Sequence, residues 1–212
     1  MLSTLTLLAQ HYRVYSLEMP GSGNSDRPEH VLTVPELADV LVEWLQAVGL
    51  SRATFLRNWL GCQVIVDLAV RHPNCIDRAI LVSPTVDTQD RTLLRQLWRG
   101  ARDLMREPWS LWPILASDYF TTGTRRILRT LRHALEDHIE LKASRMKVPT
   151  PIVRGERDPI VPERWGNELA ALLQVSEIVT IPSGTHAVNY SAPEELVCVT
   201  CEFLSRRPSS AV

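Results

Sequence analysis

The sequence predicts a three-layer α/β/α fold with a mainly parallel sheet and a helical insertion between two of its strands. Three observations predict it. Five short apolar segments, residues 13–17, 53–57, 78–83, 151–154 and 176–181, are separated by helical or loop sequence, the pattern of a sheet covered by helices on both faces. Between the first two, apolar residues recur at helical spacing. Between the third and fourth, the chain turns aromatic and arginine-rich and reads as amphipathic helices.

Each element has a local reason. A helix begins near Leu2, and the segment 13–17 that follows is apolar and extended in pattern. Thr33, with Pro35 and Glu36 behind it, makes a capping-box start. Leu37, Val40, Leu41, Trp44, Leu45 and Val48 then form one helical stripe that Gly49 ends. The apolar run Ala53–Leu56 leads into Arg57-Asn58-Trp59-Leu60-Gly61-Cys62, and an amphipathic segment runs on to Arg71. That order is strand, sharp turn, helix. From Asp87 to Val148, Trp98, Trp109, Trp112 and Tyr119 alternate with leucines and arginines. Buried aromatics are mostly packing, so these are expected to seat the insertion on the rest of the protein. Arg125, Arg126, Arg129 and Arg132 read as the solvated face of a helix, with an anionic substrate as the other reading. The expected organisation is 1–86 and 149–212 as two parts of one core, with 87–148 as a helical lid.

Four motifs follow one another in a familiar order. Glu18-Met19-Pro20-Gly21-Ser22-Gly23-Asn24-Ser25 comes first, then the turn around Trp59, then Gly155-Glu156-Arg157-Asp158-Pro159, then Ser183-Gly184-Thr185-His186. Together they resemble the α/β-hydrolase family, whose first loop reads aspartate-x-Pro-Gly-x-Gly-x-Ser and whose nucleophile elbow reads small-x-Ser-x-Gly. The resemblance implies that Asp158 and His186 are the catalytic acid and base. It also makes Leu60 the donor of an oxyanion N–H, and Arg57, Asn58 and Gly61 the elbow around the nucleophile position.

At that position stands Trp59, and Arg57 replaces a small residue. An indole has a donor N–H and no lone pair suited to attack, so it cannot do a serine's work. The family also places three strands and a His-Gly loop before the helix that begins near Leu2, and that loop gives the second oxyanion donor. A truncated chain lacking its first strands is therefore expected, with a gap inside the sheet between 13–17 and 53–57. Three outcomes stay open there: another segment fills the gap, the two strands pair directly, or the chain is incomplete.

Composition narrows the rest. The chain has 212 residues, 45% of them hydrophobic, and a formal net charge of -1, which gives no reason to expect nucleic acid or an anionic membrane as partner. No apolar run approaches a membrane span, and Met1-Leu2-Ser3-Thr4 lacks the basic start of a signal peptide. A cytoplasmic protein is expected. Its four cysteines make no disulfide framework in a chain this long, and the lone Cys198-x-x-Cys201 reads as helix packing. Cys62, in the first turn of its helix, is expected to point into packing and be inert. No metal or cofactor is expected. The reading favoured is a relative of ester or carbon–carbon bond hydrolases, impaired as a serine hydrolase, with a small molecule such as an ester as substrate or ligand. The alternatives are a receptor-like binding protein and an Asp158–His186 dyad acting as a general base in non-hydrolytic chemistry.

Overall fold

The computed structural model describes residues 2–173 and 176–206; Met1 lies outside them. Four parallel strands form one sheet in the order β1-β2-β3-β4: β1 (Ala53–Trp59), β2 (Ile76–Pro84), β3 (Thr150–Gly155) and β4 (Ser176–Ile181). The helices are α1 (Leu2–Leu8), α2 (Val34–Ala47), α3 (Leu60–Arg71), α4 (Leu93–Leu104), α5 (Trp112–Thr122), α6 (Thr124–Glu136), α7 (Ile139–Ala143), α8 (Glu163–Leu172), α9 (Val188–Ser191) and α10 (Pro193–Ser205). Successive strand residues face opposite ways, and the two faces feed separate cores. Leu81 and Ile152 pack with α2, α3, α7 and α8, while Ile80, Val82 and Val153 pack with α9 and α10. This is the three-layer arrangement.

The α2 start follows its sequence signal: Glu36 Oε2 accepts from the Thr33 N–H at 2.7 Å, and Thr33 Oγ1 accepts from the Glu36 N–H at 3.5 Å. Gly49, at φ 71°, takes the left-handed turn after the helix that other residues resist.

One strand expectation is overturned. Residues 13–19 run without regular structure and join no ladder. A strand exists only through its partner, and no described strand lies beside this segment. A cavity of about 900 Å³ separates Arg13–Leu17 from β1, with Leu41 and Trp44 of α2 and Leu5 and Leu8 of α1 among its walls. The segment is held by side chains: Tyr15 meets Trp44 edge-on at 5.2 Å, and Arg57 Nη1 crosses the gap to the Leu17 carbonyl at 3.4 Å. Of the three outcomes left open, direct pairing is excluded. No other described segment fills the gap.

The aromatic expectation is overturned too. Between β2 and β3 the described elements are helical, but Trp98, Trp109 and Tyr119 are 64%, 82% and 59% exposed and α5 buries no residue. Trp109 and Trp112 stack on each other at 5.3 Å. Buried Ala134, Ile139, Ala143 and Met146 join the main core instead, and polar bonds add to this seat. Gln63 Nε2 donates to the Ala134 carbonyl at 2.9 Å, and Arg126 Nη2 to Pro28 O at 3.1 Å. Among the four arginines of α6, Arg126 is thus turned inward and Arg132 pairs with Glu136. No described helix is long and apolar enough to cross a membrane.

Candidate active site

The carboxyl ends of parallel strands share one edge of the sheet, where the loops after them converge. β1 runs directly into α3, and Trp59 is both the last strand residue and the N-cap, at φ 51° and ψ -129°. That conformation is disfavoured for any side chain with a Cβ and more so for a bulky one. The indole is half-buried and packs against the core cluster on the α2 and α3 side. Gly61 permits the tight turn: a Cβ there would lie 2.9 Å from Arg57 Cβ. Leu60 is the first residue of α3 and buried, so its N–H belongs to the helix's first turn, which has no intrahelical acceptor. Asn58 Nδ2 reaches Asn189 Oδ1 at 3.4 Å, tying the elbow to the segment after His186.

The acid turn follows β3. Asp158 Oδ1 accepts from the N–H groups of Ile160 and Val161 at 2.8 and 3.0 Å, and Oδ2 lies 2.9 Å from His186 Nδ1. One oxygen shapes the turn and the other holds the imidazole. Gly155 makes their approach possible, since a Cβ there would fall 2.3 Å from the carbonyls of Gly184 and Thr185. The turns are also bonded through their backbones, Arg157 N–H to Gly184 O at 2.9 Å and Glu156 N–H to Ile181 O at 3.0 Å.

Two acidic groups here carried no sequence signal. Glu107, buried and contributed by the helical region, accepts from Thr185 Oγ1 and from the Ala187 N–H, both at 2.8 Å. It clasps the residues on either side of His186. Asp103 lies close enough to interact with His186. A carboxylate in or just after an amphipathic arginine-rich helix looks like ordinary surface, and only the fold turns these two inward.

The electrostatics follow from this crowd. Burial alone would lower the His186 pKa, but Asp158, with Asp103 and Glu107, outweighs it and holds the imidazole at about 9. Burial works against the Asp158 carboxylate as well, yet His186 and the Val161 N–H keep it below the usual range. Burial pushes the Asp103 carboxyl up to about 7. At neutral pH His186 is therefore an imidazolium paired with Asp158, a hydrogen-bond donor more than a base. Cys62 is fully buried, donates to the carbonyls of Arg57 and Val82 at 3.1 and 3.3 Å, and has its thiol pKa pushed well up by burial. That marks it as inert. Among the described residues no cluster of three or more His, Cys, Asp or Glu is placed to hold a metal.

A strand–elbow–helix at one parallel strand and an acid–histidine pair in the loops of two others define the class of α/β-hydrolase-fold proteins. The chain belongs to the alpha/beta hydrolase family, whose sequence pattern matches residues 2–197. It is 27% identical over 217 residues to a RutD protein of Enterobacter cloacae, provisionally named a carbamate hydrolase, covering 91% of this chain and 81% of that protein. A RutD protein of Yersinia enterocolitica is 25% identical, covering 94% and 80%. Among solved structures, a serine hydrolase involved in carbazole degradation, the CarC enzyme, matches with TM-score 0.79 at 19% identity over 97% of this chain and 84% of its own. The enol-lactonase from Burkholderia xenovorans LB400 matches with TM-score 0.74 at 20% identity over 96% and 85%. At these identities the structures establish the fold.

Proposed function

We propose that this chain is an alpha/beta hydrolase impaired in serine-hydrolase chemistry, in which Asp158 and His186 persist as an acid–histidine pair without a nucleophile. The observation that carries the reading is Trp59 at the elbow, in a strained conformation and with no hydroxyl. Residues 87–148 act as a helical lid, whose Glu107 braces the histidine loop. The names of the relatives, a carbamate hydrolase and an enol-lactonase, favour a small ester, lactone or carbamate as the molecule such a site takes.

The test is direct. The purified protein should take no label from a fluorophosphonate serine probe and should turn over p-nitrophenyl acetate no faster than its His186→Ala variant. Labelling, or a clear rate difference between the two, would overturn the reading. The general-base alternative fares worse at neutral pH, because an imidazole held at about 9 is already protonated. A binding protein is the second reading. It is favoured by a cleft beside Asp158 that is lined by charged side chains.

A further inference from the structure

Four arginines, Arg95, Arg99, Arg102 and Arg106, recur at helical spacing along α4 and the turn after it, and all four line one cleft of about 470 Å³ next to Asp158. Spacings of four, three and four place them on one face. Two are neutralised. Arg95 pairs with Asp90 at 2.8 Å, and Arg99 pairs with Asp90 and with buried Asp87, the latter at 3.1 Å. The other two are not. Arg106 donates to the Arg157 carbonyl at 2.9 Å, and Arg102 lies over the Trp98 ring at 5.6 Å, but among the described residues neither pairs with a carboxylate. Asp158, the other acid in the cleft, is matched by His186. Two guanidinium charges thus face the cleft with no carboxylate among the described residues to balance them, beside the exposed ring of Trp98.

We propose that this cleft binds a phosphate monoester, with Arg102 and Arg106 holding the phosphoryl group and Trp98 lying against its organic part. Residues four apart on a helical turn have Cβ atoms about 6 Å apart, so two guanidinium forks can converge on one phosphoryl group. Charge selects the class: two unmatched cations suit a group that carries up to two negative charges near neutral pH, more than a carboxylate offers. The site does not depend on the elbow, so it stands whether or not position 59 supports chemistry.

Calorimetric titration of the full chain with phenyl phosphate tests it. Saturable binding is expected, with none for phenol, and the affinity should fall as pH drops below about 6, where the dianion takes up a proton and becomes the monoanion. Arg102 is exposed and donates to no other described group, so Arg102→Gln should fold normally and weaken binding about tenfold. Arg106→Gln should do the same. Arg125→Gln with Arg129→Gln removes twice the charge of either single variant from exposed positions on α6 and should still bind like the parent. Absence of saturable binding, or equal weakening in the α6 control, would overturn the proposal.

Discussion

Arg57 lies over Gly61 so closely that a Cβ on the glycine would sit 2.9 Å from the arginine's own Cβ and 3.1 Å from its Nε. The strand and helix of the elbow thus remain in near contact although a large side chain has entered the turn. Its stem runs along the glycine, and its head reaches across the cavity to Leu17. Gly61→Ala should cost about 1–3 kcal/mol by overpacking. Removing the stem should make room, so in the Arg57→Gly background the same change should cost less than about 1 kcal/mol. Urea unfolding of the four proteins of this cycle measures the coupling, and additive costs would mean the two residues do not press on each other.

His186 should titrate near 9 by imidazole NMR in the parent protein. In Asp158→Asn the largest attraction is gone while burial, Asp103 and Glu107 remain, so the midpoint should fall clearly below that of the parent. The sign for stability follows. A folded-state pKa raised above the unfolded value means the pair's contribution is complete below pH 6.5 and is lost as pH rises through about 9. Unfolding free energies measured from pH 6 to 10 should decline across that window in the parent and much less in Asp158→Asn.

Gly155→Ala is expected to be among the most damaging single changes. Its Cβ would meet two backbone carbonyls at 2.3 Å, and backbone cannot swing aside as a flexible side chain can. A loss of more than about 3 kcal/mol, with the His186 midpoint shifted as its turn is pushed off Asp158, is the expected result. A stable Gly155→Ala with an unchanged His186 titration would contradict the geometry.

The tryptophans divide sharply. Trp165 is buried and its Nε1–H donates to the Pro84 carbonyl at 2.9 Å, so Trp165→Ala should cost about 3–5 kcal/mol. Trp109 is exposed, and Trp109→Ser should fall within about 0.5 kcal/mol of the parent. Thermal melts of the two variants check the contrast.

Four of the five strand segments were legible because an apolar run bounded by turns or helices is a local signal, and 176–181 coincides with β4. Residues 13–17 carry the same signal and are not a strand, because pairing is a property of two segments and no described segment lies alongside them. Asp158 and His186 were legible through their Gly-flanked turns, and the structure accounts for the glycine: Gly155 lets the two turns touch. Glu107 and Asp103 were not, since nothing near them in sequence distinguishes an inward carboxylate from a solvated one. The aromatics of residues 87–148 misled for a related reason. Hydrophobic spacing marks a helix face that is able to pack, and whether anything lies opposite depends on the rest of the fold.

Trp59 keeps a positive φ that its own bulk resists, so the conformation is imposed by β1 and α3 on either side and not by any need of the indole. Position 59 is in effect a mounting point. The turn fixes the direction in which a side chain leaves the backbone, and the identity of that side chain is left free. A cysteine, a selenocysteine or an unnatural amino acid bearing a catalyst, placed there, would be held by the same two elements at the carboxyl edge of the sheet that carries the Asp158–His186 pair.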